Sequence, residues 1–309
     1  MRDAFFKAIT DIARLHKDIF ILTGDLGFKL FDDFRAKHPE RFFDIGVAES
    51  NMAGIAAGLA LSGKNVYCYS ITPFLVMRAY EHIRVDIAYQ NLSVKLVGVG
   101  GGFTYGREGF THCGFEDLAL MRALPNMTIV VPSDIFEAKK LAVLSHKHQG
   151  PMYIRLGKTN GIVVHEEEPE FEIGKAMILQ EGNAVALFAV GDMVYVAKQV
   201  ADMLSKKKGI RATLVNMHTI KPLDVEIISQ VASTHEAIFS LEEHNINGGL
   251  GSAIAEVLAE SRYNGLFRRF GIPNSLKGYI GSADYLRDRY GLTHEKIFEK
   301  ILNELEARH

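Results

Sequence analysis

Two loop positions in this 309-residue sequence carry side chains suited to proton transfer. Glu49 stands where an apolar, strand-like segment ends and a helix rich in glycine and alanine begins. A carboxyl group sheltered there from bulk water can hold or donate a proton near neutral pH. His112 follows a glycine-rich stretch that allows close backbone approach, which suits an imidazole that contacts substrate. Both residues also have ordinary structural explanations: a helix-start carboxylate favoured by the macrodipole, and an exposed loop histidine.

A third candidate is a stripe of large side chains. Phe74, Met77 and Tyr80 recur at positions i, i+3 and i+6 of a predicted helix, so they face one side of it. Such a stripe is usually part of a hydrophobic core, but beside a carboxylate and a histidine it can form the wall of an apolar ring pocket. The glycine-rich stretch has neither a GxGxxG that opens a helix nor a P-loop lysine, so a nucleotide-phosphate cradle is disfavoured.

Elements of alternating type must position these side chains. Short apolar segments alternate with amphipathic ones along the chain, a pattern that predicts parallel sheets covered by helices. The predicted strands are 19–23, 65–69, 94–99, 128–131, 152–155, 184–190, 211–216, 237–241 and 266–270. The predicted helices are 51–61, 74–90, 134–147, 193–205, 224–233, 249–261 and 293–307. Ligands of parallel α/β sheets bind outside the carboxyl ends of the strands, where both Glu49 and His112 are expected.

The alternation stops between residues 158 and 181, where an acidic run has neither helical nor strand period. We therefore expect an α/β protein of two doubly wound domains, residues 1–157 and 182–309, joined by a linker. A long surface loop within one domain is the alternative.

Composition limits the class of protein. With 48% hydrophobic and 23% charged residues, the chain is neither disordered nor fibrous. A formal net charge of −2 gives no reason to expect a nucleic-acid or anionic-membrane partner. The two cysteines, Cys68 and Cys113, are too few for a disulfide framework or a structural zinc site. Because no signal peptide or bilayer-spanning stretch is visible, a cytoplasmic location is expected.

Several short motifs together are more specific than any single residue. In the first half they are Gly46-Val47-Ala48-Glu49, Thr72-Pro73-Phe74-Leu75, Gly109-Phe110-Thr111-His112, Pro125-Asn126-Met127 and Pro132-Ser133-Asp134. In the second half they are Lys221-Pro222-Leu223-Asp224, Glu242-Glu243-His244 and Gly248-Gly249-Leu250-Gly251-Ser252. In order and spacing the chain resembles the pyrimidine-binding and C-terminal domains of the transketolase family, and it is also similar to the corresponding part of 1-deoxyxylulose-5-phosphate synthase.

The resemblance implies thiamine diphosphate as cofactor, with its aminopyrimidine held by a chain like this one. Full-length members hold the diphosphate through a metal with a Gly-Asp-Gly sequence, which does not occur here. We therefore expect the C-terminal subunit of a split transketolase. Its N-terminal partner subunit would hold Mg²⁺ or Ca²⁺, no metal ligand would come from this chain, and the assembly would be an α2β2 heterotetramer.

The resemblance also assigns roles to residues of the site. Glu49 matches the glutamate that binds the pyrimidine nitrogen N1′, and His112 matches a histidine that contacts substrate oxygens. Phe74 and Tyr80 match the aromatic pocket around the pyrimidine, and Met77 takes the third position of that pocket, where transketolases proper often have another aromatic residue. Asp25 matches an aspartate near the cofactor and the dimer contact.

Two departures from the family pattern bear on the substrate. The sugar-phosphate arginine of the family falls at Lys158, with Arg155 three residues earlier. Lysine binds phosphate as a point charge without the bidentate fork of arginine. Gly100 stands where transketolases proper have a histidine that contacts the donor ketose. The expected substrates are therefore sugar phosphates whose identity the sequence leaves open.

The sequence is also compatible with two other activities. A subunit that uses a pyruvate-type donor, like 1-deoxyxylulose-5-phosphate synthase or a 2-oxoacid dehydrogenase β chain, is one alternative. A non-catalytic regulatory subunit of the same fold is another. Transfer of a two-carbon ketol unit between sugars is the activity that we favour.

Overall fold

The computed structural model describes residues 1–158 and 163–307 and contains two mostly parallel sheets. The strands are β1 (Ile19–Thr23), β2 (Phe42–Asp44), β3 (Asn65–Ile71), β4 (Val94–Val99), β5 (Thr128–Val130), β6 (Met152–Leu156), β7 (Met177–Gln180), β8 (Val185–Ala189), β9 (Ala212–Asn216), β10 (Thr219–Lys221), β11 (Ala237–Asn245) and β12 (Leu266–Ile272). The α-helices are α1 (Arg2–Ile12), α2 (Asp32–Lys37), α3 (Glu49–Leu61), α4 (Tyr80–His82), α5 (Asp117–Arg122), α6 (Ile135–Lys147), α7 (Met193–Lys208), α8 (Val225–Thr234), α9 (Leu250–Glu260), α10 (Ala283–Tyr290) and α11 (His294–Glu306). In the described part of the chain, no helix is both long and apolar enough to cross a bilayer.

The first sheet has the strand order β10-β5-β6-β4-β3-β1-β2. All its pairings are parallel except that of β10 with β5. The central strands β3, β4 and β6 are buried along their whole length, which explains their nearly continuous apolar sequences, because helices cover both faces of the sheet. Parallel pairing of β1, β2 and β3 brings the loop after β1, the start of α3 and the end of β3 to one edge.

The second sheet has the order β12-β11-β8-β9-β7 and is parallel except at β7. The predicted fold class, two α/β domains with mostly parallel sheets, is confirmed. Part of the segment predicted as linker, Met177–Gln180, is the antiparallel edge strand β7, and residues 159–162 of that linker lie outside the described residues. The exact domain boundaries remain a prediction.

Strand β10 connects the two halves of the chain, since it follows β9 of the second sheet but pairs with β5 of the first. The hydrophobic core is also shared. One cluster of buried side chains contains Leu96 and Ile129 from the first sheet together with Phe188 and Val215 from the second. The two sheets therefore pack as one body on this side.

The motif Pro132-Ser133-Asp134 starts helix α6 and anchors the chain that follows β6. Asp134 caps the helix, because its Oδ1 accepts hydrogen bonds from the amides of Phe136 and Glu137 at 2.9 and 3.1 Å. Its Oδ2 accepts from the amides of Val164 and His165 at 3.1 and 3.0 Å. This motif is thus explained by structure rather than by chemistry.

Glu242 of the motif Glu242-Glu243-His244 has a similar task at the start of α9. Its carboxylate accepts hydrogen bonds from the amides of Leu250 and Gly251 at 2.7 and 2.9 Å, groups that have no partner within the helix. Burial raises the pKa of Glu242 to about 7, and these two hydrogen bonds oppose that rise. The glycines before α9 leave room for the carboxylate, since a Cβ at Gly249 would lie 1.9 Å from its Oε2.

Buried ionic groups join the two sheets at the glycine-rich stretch. Arg155 of β6 donates to the carbonyl oxygen of Glu243 in β11 at 2.9 Å. The Glu243 carboxylate accepts from the amide of Phe103 at 2.9 Å and from Nε of Arg287 in α10 at 2.5 Å. Arg287 also lies 3.5 Å from Asp192, and the nearby carboxylates, Glu243 above all, raise its pKa.

We predict that Arg287→Met destabilises the chain, because it leaves Glu243 without its cation in a buried site. Loss of one partner of a buried ion pair typically costs about 3–5 kcal/mol, measured here as the free energy of unfolding in urea. Arg289→Met is the matched control, since the Arg289 guanidinium is exposed and stacks on Tyr279 at 4.4 Å. Equal unfolding midpoints for Arg287→Met and Arg289→Met would contradict the importance of the network.

Candidate active site at the carboxyl edge of the first sheet

Glu49 is a nearly buried carboxylate at the edge where β1, β2 and β3 end. It is the first residue of α3 and is only 2% exposed. Its Oε1 accepts a hydrogen bond from Ser70 Oγ of β3 at 3.0 Å, and its Oε2 lies 3.4 Å from Nη1 of Arg78. The carboxyl group is therefore sheltered from water, as the sequence predicts. Its partners are one hydroxyl group and one cation.

The segment after β3 is helical from Phe74 to Ala88, but much of it is π-helical: Phe74–Arg78 and Ile83–Ala88 flank the short α4. Single π-turns are wider than α-helical turns and frequently occur at functional sites. In the first of them, the Arg78 guanidinium lies over the Phe74 ring at 4.2 Å from its centroid. The carbonyl oxygen of Arg78 accepts a hydrogen bond from Ser50 Oγ at 2.9 Å, which ties this turn to α3.

This geometry differs from the single apolar stripe expected for Phe74, Met77 and Tyr80. Met77 is 36% exposed, and the Tyr80 hydroxyl donates to the carbonyl oxygen of Leu120 at 3.0 Å. Phe74 and Tyr80 pack against different core clusters. The stripe prediction assumed the α-helical period, which the π-turns interrupt.

His112 and Phe74, which the sequence analysis placed in separate motifs, are neighbours. Their ring centroids are 4.9 Å apart at an interplanar angle of 68°, and His112 Nδ1 lies 2.9 Å from Thr111 Oγ1. The Tyr105 ring lies 6.4 Å beyond His112, and the Lys158 ammonium is 4.7 Å from the Tyr105 centroid. These contacts form a row along the edge of the sheet, which we call the ring row: Arg78, Phe74, His112, Tyr105 and Lys158.

Gly100 has a structural reason to be glycine. Its φ is +86°, and a Cβ on it would lie 2.2 Å from two atoms of the Tyr105 ring. Tyr105 thus occupies the space that a side chain at position 100 would need. A larger residue at position 100 would therefore displace the Tyr105 ring.

The remaining predicted site residues lie in contrasting environments. Asp25 is exposed at the end of β1, and its amide donates to Asp44 Oδ1 at 2.8 Å. Lys158 is also exposed. Arg155 is only 6% exposed and lies 3.2 Å from Asp117, and it also donates to the Gly114 carbonyl oxygen at 3.1 Å. Arg155 therefore stabilises the junction of the two sheets, whereas Lys158 is accessible to a ligand.

Sequence reasoning missed three residues of this site: Ser70, Arg78 and Tyr105. Ser70 is the only one with a sequence signal, since a hydroxyl at the end of an apolar strand points to the carboxyl edge where ligands bind. The positions of Arg78 and Tyr105 depend on a π-turn and on a loop conformation, and neither leaves a periodic pattern in the sequence.

Comparison with known proteins agrees with this architecture. The family model "Transketolase, pyrimidine binding domain" matches residues 1–162, and "Transketolase, C-terminal domain" matches residues 174–297. The chain belongs to the transketolase family. This confirms the family predicted from the motifs around Glu49 and His112.

Relatives of this transketolase-family chain include proteins that are named as transketolase subunits. It is 38% identical to one of the subunits of the apulose-4-phosphate transketolase of Phocaeicola vulgatus, over 97% of this chain and 96% of that protein. It is 37% identical to a 6-deoxy-6-sulfo-D-fructose transketolase subunit of Clostridium sp., over 96% and 92% of the two chains. The expectation of an enzyme subunit of the split-transketolase type is thereby confirmed.

A solved structure has the same fold over nearly the whole chain. It is described as a split-gene transketolase in an inactive beta4 tetramer and is 35% identical to this chain. The two superpose with a TM-score of 0.87, covering 99% of this chain and 97% of the other.

Proposed function

We propose that this chain is the C-terminal subunit of a thiamine diphosphate-dependent transketolase that moves a two-carbon ketol unit between anionic sugars. The observation that carries the proposal is the pair formed by the buried Glu49 carboxylate and the Phe74 ring. Between them lies a flat group, the Arg78 guanidinium, which touches both.

That pair fits the aminopyrimidine of thiamine diphosphate. The aminopyrimidine ring can stack on an apolar face and form a hydrogen bond with a carboxyl group at its edge. Phe74 offers the face and Glu49 the carboxyl group, and the two are close enough for the Arg78 guanidinium to contact both. Arg78 is half-exposed, with 50% of its side-chain surface open to solvent, so it can move aside when a ring takes its place. Met77, Tyr80 and Asp25 would surround the cofactor at a greater distance.

Glu49 would share a proton with the ring nitrogen N1′. Its shelter from water and its hydrogen bond from Ser70 Oγ fix the carboxylate in one orientation, which favours directed proton transfer. When bound, thiamine diphosphate supplies the nucleophilic carbon and the electron sink that carry the two-carbon unit.

The substrate would lie along the ring row. His112 lies next to Phe74, and one of its ring nitrogens is within hydrogen-bond distance of the Thr111 hydroxyl. Its other ring nitrogen can therefore hydrogen-bond to a substrate oxygen or transfer a proton. Lys158, at the far end of the row, would bind the anionic end of the sugar. The names of the two relatives contain a phosphorylated and a sulfonated sugar, which supports an anionic substrate without fixing its identity.

The proposal includes an N-terminal partner subunit that holds the diphosphate through Mg²⁺ or Ca²⁺, in an α2β2 assembly in the cytoplasm. Relatives that are named as subunits, and a solved relative whose tetramer is described as inactive, support this division of labour.

We predict that the isolated chain, given Mg²⁺ and thiamine diphosphate, has no ketol-transfer activity, and that addition of the partner subunit restores it. The assay pairs a ketose phosphate donor with an aldose phosphate acceptor, and a parallel assay replaces the ketose by pyruvate. Robust turnover by the isolated chain would contradict the split site. Activity of the complex with pyruvate alone would favour the alternative donor class.

A further prediction concerns the anion site. Lys158→Ala should lower kcat/KM for the phosphorylated sugar by about 10–150-fold, because a charge-assisted contact contributes about 1.5–3 kcal/mol. Lys158→Arg should retain activity, since it keeps the cation.

Lys64→Ala is the matched control for this prediction. The Lys64 ammonium also lies over an aromatic ring, 5.7 Å from the centroid of Phe20. Lys64 directly precedes β3, however, and so lies at the amino-terminal ends of the strands, away from the proposed site. If Lys158→Ala and Lys64→Ala had the same kcat/KM as the unmodified enzyme, Lys158 would not bind the substrate.

A further inference from the structure

A cluster of three potential metal ligands lies at the amino-terminal ends of the strands of the first sheet. Glu49 lies at the opposite ends of these strands. His16 and Asp18 stand in the turn between α1 and β1, and His146 is in the last turn of α6. One ligand atom from each residue lies within 4.8 Å of the others. The centroids of the two imidazole rings are 4.2 Å apart, and the angle between the ring planes is 54°. Two segments that are distant in sequence therefore bring their histidine rings together.

Hydrogen bonds from two buried residues hold these segments in place. Asn65, the first residue of β3, donates from its backbone N–H to the Asp18 carbonyl oxygen at 2.8 Å. Its side-chain nitrogen donates to the His146 carbonyl oxygen at 2.8 Å and lies 3.2 Å from the ring nitrogen Nδ1. Arg41, 6% exposed, donates to the His16 carbonyl oxygen at 2.9 Å. These contacts fix the backbone of the two segments that carry the three side chains.

The chemistry of the three side chains selects a class of ion. Two imidazoles and one carboxylate suit Zn²⁺, Co²⁺ or Ni²⁺, whereas Mg²⁺ and Ca²⁺ prefer oxygen ligands alone. Three protein ligands leave further positions of the ion to water.

We propose that His16, Asp18 and His146 bind one divalent transition-metal ion, with Zn²⁺ as the test ion, and that this ion clips the turn before β1 to the end of α6. The site is separate from the metal that the proposed function assigns to the partner subunit, because it lies at the opposite edge of the sheet. It does not depend on that function.

The test is calorimetric titration of the full-length, tag-free chain with ZnCl₂ after removal of metals by EDTA, with MgCl₂ in a parallel titration. We expect one Zn²⁺ per chain, no comparable binding of Mg²⁺, and a melting temperature that rises with zinc because the ion binds the folded state. His16→Gln and His146→Gln should each weaken zinc binding by more than about tenfold and abolish the thermal shift.

The matched control is His82→Gln, which alters an exposed histidine on α4, outside the cluster. It should bind zinc like the unmodified chain. Asp18→Asn provides a further variant that changes one ligand with little change in shape, in case a histidine variant does not fold. Failure of the unmodified chain to bind zinc, or equal affinity in the cluster variants and His82→Gln, would overturn the proposal.

Discussion

A carboxylate removed from water needs other partners, and in this protein that requirement organises the carboxyl edge of the first sheet. Glu49 is 2% exposed, and its two oxygens face Ser70 Oγ and the Arg78 guanidinium. Two conditions provide these partners. Strand β3 must end beside the start of α3, and the segment after β3 must turn so that Arg78 reaches the Glu49 carboxylate. The π-turn at Phe74–Arg78 meets the second condition and places the cation between a carboxylate and an aromatic face.

The glycine-rich stretch serves the other side of the same site. It packs tightly between the two sheets: a Cβ at Gly101 would lie 1.6 Å from Nε of Arg155 in the first sheet, and a Cβ at Gly102 would lie 2.2 Å from Oε2 of Glu243 in the second. Arg155 in turn binds the backbone of Glu243, whose carboxylate holds Phe103 and Arg287. The second sheet thus contributes to the site indirectly, because it fixes the loop that positions His112 and Tyr105.

Much of this arrangement could be predicted from the sequence. Apolar segments such as 94–99 are buried on both faces, so their composition alone indicates strands of a covered sheet. The position of Glu49 follows from that alternation. The strand exchange through β10 and the edge strand β7 could not be predicted, because both are short and their pairing depends on tertiary contacts. The role of Arg155 was hidden for a similar reason: only the folded structure shows that Asp117 and Glu243 surround it.

The central proposal is that Glu49 shares a proton with the nitrogen N1′ of the aminopyrimidine. The most direct test is the rate of hydrogen–deuterium exchange at C2 of thiamine diphosphate, measured by NMR in the complex with the partner subunit, for the unmodified chain and for Glu49→Gln. The amide keeps the size of the side chain but cannot relay the proton, so we expect exchange to slow by about 10²–10⁴-fold while the cofactor still binds. An unchanged exchange rate in Glu49→Gln, with cofactor bound, would contradict the account.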